Sequence, residues 1–171
     1  DPCIYGTIRE QMDQLDELGI PFDSCPGVSS FCGAASSLNL EYTLPEVSQS
    51  VIITRMAGRT PVPPKEDIAS LASHQATMVI FLSTGMLKEL SCELLKGGYL
   101  PDTPAAIIYK ATWPEEEKYV CTINTLEQTA REHNITKTAL IIVGDVVTHH
   151  NYGRSELYHP EFSTEFRKAS R

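Results

Sequence analysis

Three short stretches of the chain are apolar almost without interruption over the length of a β-strand: Thr77–Leu82 (TMVIFL), Pro104–Tyr109 (PAAIIY) and Ala139–Val143 (ALIIV). A strand that faces water on one side alternates apolar with polar residues, whereas an unbroken run fits a strand buried on both faces. Helical spacing separates these runs. Met86–Lys96 lines up Leu87, Leu90, Leu94 and Leu95 and stops at Gly97-Gly98, and Thr125–His133 buries Leu126 and Ala130. Ser50–Arg55 is a further strand, Lys65–Ser73 a short helix through Ile68, Leu71 and Ala72, and Lys118–Thr122 a half-exposed strand. Such alternation predicts an α/β domain with a largely parallel sheet covered on both sides. Ligands of such sheets bind beyond the carboxyl ends of the strands, here Arg55–Pro64, Leu82–Gly85, Tyr109–Trp113 and Gly144-Asp145.

The first forty residues follow a different rhythm. Thr7-Ile8-Arg9-Glu10 has the form of a capping box, Ile8, Met12, Leu15 and Leu18 recur at helical spacing, and Gly19 is the expected stop. Ile20–Ser24 is expected as a short strand ended by the Pro26-Gly27 turn. Val28–Ala35 is a small-residue run opening on Ser29 and Ser30; hydroxyls there either cap a helix or hold a polar ligand group beside its free amides. Residues 38–48 are a connector, with Leu44-Pro45 as the boundary to the region of alternating strands and helices. From Thr148 onward the chain is polar without a sustained period. It opens on Asp1-Pro2 with no initiator methionine and no leader composition, and so reads as cut from something longer.

Charge narrows the partners. With 22 acidic and 14 basic residues the formal net charge is -8, which argues against nucleic acid as the main partner. No apolar run approaches the roughly 20 residues that cross a bilayer, so no membrane partner is expected. Between Glu46 and Glu66 there is no acidic residue, yet Arg55, Arg59 and Lys65 fall there. A cationic loop on a strand end is a seat for an anionic ligand, or else a solvated loop paired with acids elsewhere. Cys3, Cys25, Cys32, Cys92 and Cys121 are scattered without a CxxC pair, which speaks against a disulfide framework or zinc site and leaves a reducing cytoplasm as the default. Cys92 and Cys121 are expected as small core residues. His149, His150 and His159 lie in the polar tail and read as surface histidines. The nucleophile elbow, the HExxH zinc motif, the phosphate loop and the dinucleotide fingerprint are all missing.

Several motifs resemble one family. Asp1-Pro2-Cys3-Ile4-Tyr5-Gly6 looks like the G-D-P-x-x-Y-G motif of the tetrapyrrole methylases without its leading glycine. Gly19-Ile20-Pro21-Phe22 with Cys25–Ser30 resembles the same family's G-I-P…P-G-[VI]-[ST]-[SA] stretch. Leu44–Gln49, Thr54–Pro63 (TRMAGRTPVP), Thr138–Gly144 and Tyr158–Phe162 are similar to its precorrin-4 C(11)-methyltransferase branch, which includes the cobalt-precorrin-4 enzymes.

The resemblance implies two α/β domains with S-adenosylmethionine in the cleft between them. Residues 1–40 would be the last part of the first domain, 41–150 the second domain and 151–171 a tail, with the start of the first domain not in this chain. It implies methyl transfer to C-11 of precorrin-4 or cobalt-precorrin-4 in cobalamin biosynthesis, by a cytoplasmic homodimer without a protein-bound metal. The enzymatic rival is a uroporphyrinogen III C-methyltransferase, and the non-enzymatic one a tetrapyrrole-binding fragment. Carried over by position, the donor site would use Asp1, Ile4, Ser29, Ser30, Leu82 and Ala111. The carboxylates fringing a tetrapyrrole call for Arg55, Arg59, Lys65 and Lys110.

Overall fold

All the strand-length runs after residue 48 pair into one five-stranded sheet. The computed structural model describes residues 1–148, 152–155 and 159–169. Its helices are α1 (Ile8–Glu17), α2 (Ser30–Leu38), α3 (Ile68–Ala72), α4 (Leu87–Lys96) and α5 (Leu126–Glu132). Its strands are β1 (Val51–Arg55), β2 (Thr77–Phe81), β3 (Pro104–Tyr109), β4 (Glu117–Thr122) and β5 (Ala139–Val143), ordered β1-β2-β5-β3-β4. Among the described residues only β1 and β2 pair in parallel, while β5 is antiparallel to both β2 and β3, and β4 to β3. The expectation of a largely parallel sheet is corrected accordingly. An unbroken apolar run reports that both faces are covered and says nothing of direction; β5 is buried along its whole length and inverted.

Inversion exchanges the ends of β5. Gly144-Asp145, expected beyond the carboxyl ends of the other strands, lie instead where β2 and β3 begin: the Gly144 amide donates to Pro104 O at 3.0 Å. The segment 136–139 comes to the carboxyl-end edge in their place, with the Lys110 amide donating to Thr138 O at 3.0 Å.

Alternate side chains leave a strand on opposite faces. Met78, Ile80, Ile107, Ile141 and Val143 pack against α3, α4 and α5 through Ala72, Leu90, Leu94 and Leu126. Val79, Phe81, Ala106, Ile108, Leu140 and Ile142 form the other face, closed by Ala34 of α2 and by Val147. Gly33, Ala34 and Ala35 let α2 lie close to this layer. A Cβ on Gly33 would stand 3.2 Å from Thr112 Cγ2, so the helix also rests on the loop after β3.

Local expectations divide by whether a tertiary partner was needed. The helix at Ile8 forms without its capping box, because Thr7 (φ -101°, ψ 24°) is not extended and its side chain makes no cap bond. A reciprocal box forms instead between Thr122 and Thr125. Met12 and Leu15 are only half-buried and Leu18 is exposed, so the apolar stripe of α1 has little cover among the described residues. Residues 20–24 form no strand. Cys92 is exposed rather than a core residue, since the buried face of α4 is Leu87, Leu90 and Leu94 and position 92 falls opposite it; Cys121 is half-buried against the core. All five cysteines are free thiols. His149, His150 and Tyr158 lie outside the described residues, and His159 is exposed. No helix of the described residues is long and apolar enough to cross a membrane.

Candidate functional site

Where β1, β2 and β3 end and β5 begins, the backbone turns sharply at residues ill suited to it. Leu82 (φ 53°), Lys110 (φ 46°), Thr112 (φ 70°) and Thr138 (φ 58°) all adopt the left-handed region, as does Tyr5 (φ 53°) opposite them. A β-branched threonine in this region costs free energy that surrounding structure must over-determine. Buried hydroxyls supply part of that framework. Ser83 Oγ donates to Phe81 O (2.7 Å) and accepts from the Met56 amide (3.0 Å), joining the ends of β1 and β2. Thr84 Oγ1 donates to Ala139 O (3.2 Å), joining β2 to β5.

Three contiguous hollows open at this edge. Asp1, Ile4, Ser29, Ser30 and Ala111 surround the first, of about 420 Å³, so five of the six donor-site residues expected from sequence come together. Asp1 ties the two amino-terminal motifs: one carboxylate oxygen accepts from the Cys3 amide and the other from the Gly27 amide, both at 2.8 Å. Ser29 is the extended N-cap residue of α2 (φ -64°, ψ 149°), but its side chain makes no cap bond and is buried at the cleft. Simple capping therefore does not account for it. Glu116 braces the far wall, its carboxylate accepting from the Ser37 hydroxyl and the Thr112 amide at 2.6 Å each. Those hydrogen bonds, the hydroxyl's first, hold its pKa below the ordinary 4.5.

The second hollow, about 370 Å³, shares Ser30, Ala111 and Trp113 with the first and adds Leu82, Lys110 and Thr138. The Lys110 ammonium sits 5.3 Å from the ring centres of both Tyr109 and Trp113 and 3.8 Å from the Glu115 carboxylate. Thr136, Lys137 and Thr138 line this hollow. Sequence reasoning missed them, because assigning β5 the same direction as its neighbours put its other end here.

The third hollow, about 430 Å³, lies between Tyr5, Arg55, Arg59, Leu82 and Met86. Tyr5 packs its ring 5.1 Å from that of Phe81, and burial pushes its hydroxyl pKa up while the nearby Arg55 charge pulls it back. Arg59 is exposed at the rim. Lys65 sits apart, exposed on the 3₁₀ turn Pro64–Glu66 and not on the walls of these hollows. Small residues, main-chain groups, aromatic faces and cations thus converge on one edge. Such an edge can bind and orient an extended anionic molecule beside a compact polar one. Among the described residues no group of three or more histidine, cysteine or acidic side chains is placed to hold a metal.

The chain is similar to proteins of one family. The family described as Tetrapyrrole (Corrin/Porphyrin) Methylases matches residues 1–127. A cobalt-precorrin-4 C(11)-methyltransferase of Methanocaldococcus jannaschii is 48% identical over 169 residues, which is 99% of this chain and 65% of that protein. The solved structure of a cobalt precorrin-4 methyltransferase, a cobalamin biosynthetic enzyme, superposes with a TM-score of 0.84 at 40% identity, covering 86% of this chain and 62% of the other. A uroporphyrin-III C-methyltransferase of Thermus thermophilus, solved with S-adenosylhomocysteine, gives 0.70 at 22% identity over 88% of this chain and 64% of its own, which speaks to the fold alone. The chain spans just under two thirds of the length of these relatives.

Proposed function

We propose, from the premise that this chain belongs to the tetrapyrrole methylase family, that it is the larger part of an S-adenosylmethionine-dependent methyltransferase. Its reaction is methylation of C-11 of precorrin-4 or cobalt-precorrin-4 in cobalamin biosynthesis. One observation carries the reading: residues far apart in sequence, carried over by position from the family resemblance, surround a single cleft in which Asp1 bonds the Gly27 amide and α2 begins at Ser30. The 48% identity to a cobalt-precorrin-4 enzyme supports this branch over the uroporphyrinogen III methylases.

The donor supplies a methyl already activated on a sulfonium, so the protein's main task is alignment and exclusion of water. Ser29, Ser30 and Asp1 offer polar groups at one end of the cleft. Ile4 and Ala111 offer apolar walls, and Leu82 presents a main-chain turn. Gly33 permits the close approach of α2 to Thr112 that shapes the far wall. Arg59 and Lys110, which line the third and second hollows, would receive acetate and propionate groups of the macrocycle.

In this reading residues 1–40 complete a first α/β domain, 41–150 form the second and 151–171 a tail. The whole enzyme acts as a cytoplasmic homodimer and requires no protein-bound metal. Light scattering on the full-length protein checks the dimer. The test of the reaction is incubation of the full-length protein with the donor and each precorrin-4 form. A gain of one methyl at C-11 is expected, and transfer only to uroporphyrinogen III would overturn the assignment.

A further inference from the structure

Arg55 and Arg59 both belong to the cationic loop after β1, but they face different partners. The Arg55 guanidinium donates from Nη1 to Met56 O (3.0 Å) and Thr60 O (2.9 Å), and from Nη2 to Pro61 O (2.9 Å). Three carbonyls of an irregular loop are thereby satisfied by one planar fork, a geometry an ammonium cannot reproduce. The loop is pinned at its base by the Met56 amide on Ser83 Oγ (3.0 Å) and closed at its tip by the Gly58 amide on Thr60 O (3.3 Å). Arg59, between those two tip residues, is exposed at the rim of the same hollow, and among the described residues no hydrogen bond or ion pair engages its guanidinium.

We infer that Arg55 is a positioning residue: it folds the 56–61 loop around its own guanidinium and so fixes Arg59 where a substrate carboxylate arrives, without binding that carboxylate itself. The inference rests on the reading of the cleft as a tetrapyrrole site and sharpens it by dividing the loop's cations into a clamp and a ligand contact. Retention of positive charge at 55 is then insufficient. A lysine there keeps the charge but not the three-carbonyl fork, and Arg59 loses its fixed position.

The test uses the full-length protein with uroporphyrin III, a stable carboxylate-fringed macrocycle, as the probe read by fluorescence, together with hydrogen exchange at the hydrogen-bonded loop amides of Met56 and Gly58. Arg59→Ala weakens porphyrin binding by about tenfold, the scale of one charge-assisted contact. Arg55→Lys weakens it by a similar factor and speeds exchange of the loop amides, which Arg59→Ala leaves slow. The double variant binds no more weakly than Arg59→Ala alone, because the two residues act through one contact. Binding of S-adenosylmethionine stays as in the parent in all three. If the losses multiply in the double variant, or if Arg55→Lys binds as the parent does, Arg55 is not acting through Arg59 and the inference is overturned. Unchanged porphyrin binding in Arg59→Ala would instead overturn the carboxylate reading beneath it, whatever the loop exchange shows.

Discussion

The two ends of the sheet are made from the same strands and are lined by opposite charge. At the end where β2 and β3 begin, the left-handed residues include Gln75 (φ 50°), Gly98 (φ 105°) and Gly144 (φ 136°). Their neighbourhood is closed by hydrogen bonds: Gln75 Nε2 to Gly98 O (2.7 Å), Thr77 Oγ1 to Tyr42 O (2.9 Å) and the Tyr99 hydroxyl to Ala76 O. Burial pushes the Tyr99 pKa up to about 12. The charges lining the hollow there are Asp102 and Asp145. At the other end Leu82, Lys110, Thr112 and Thr138 are in the left-handed region, Leu82 is 70% exposed, and Arg55, Arg59, Lys110 and Lys137 supply positive charge. Hydrogen bonds hold the left-handed residues at both ends, and at the second the Leu82 turn also leaves Leu82 mostly in solvent beside open hollows. The opposite charge of the two linings and the exposed left-handed turn at Leu82 single out the second end as the proposed ligand-binding end.

A cut through the shared core should not respect the contrast. Ile80, fully buried between the ends, is expected to cost about 2–5 kcal/mol when changed to alanine, seen as a lower denaturation midpoint with both ends lost together. Loss at one end alone would show that the ends are separate units. Gly144→Val attacks the far end only: at φ 136° a side chain costs about 1–3 kcal/mol. The protein should melt earlier while the folded fraction keeps its affinity for the methyl donor.

Leu82→Gly is the sharper opposite. It removes the left-handed strain of a side chain that is mostly in water, so stability is expected to hold or rise by up to about 1 kcal/mol, while donor affinity falls. A matching fall in stability would mean Leu82 is held for packing. The smallest effect concerns the Glu116 brace. Its folded pKa is depressed by the Ser37 hydroxyl and then the Thr112 amide, so its contribution is present above the unfolded value near 4.5 and fades as pH falls through the folded one. Urea unfolding below about pH 5 should therefore show a shallower acid loss in Glu116→Gln than in the parent.

What could be read from the chain alone follows the same physics. The runs at Thr77, Pro104 and Ala139 announced buried strands because burial on both faces is written in every residue. The direction of β5 was not written there, and with it went the place of Thr136–Thr138 and Gly144. The Thr7 box and the 20–24 strand failed because each matched a local pattern while the backbone lacked the dihedral or the partner to use it. Charge spacing singles out the Arg55–Lys65 loop but not the three carbonyls that Arg55 engages, since which carbonyls a guanidinium reaches is set by the fold of the loop. The family resemblance groups Asp1, Ile4, Ser29, Ser30 and Ala111, which no periodicity would join and which the fold brings to one hollow.

The most direct measurement is calorimetric titration of S-adenosylmethionine into the full-length protein that carries this chain, alongside Ala111→Trp. Ala111 is half-exposed, packs against the second core layer and lines both adjoining hollows, so an indole there occupies volume of the cleft. One donor bound per chain by the parent, and none by the variant at an unchanged melting temperature, is the predicted result. Absence of saturable binding in the parent, or equal binding in the variant, would contradict the assignment of this edge as the methyl-donor site.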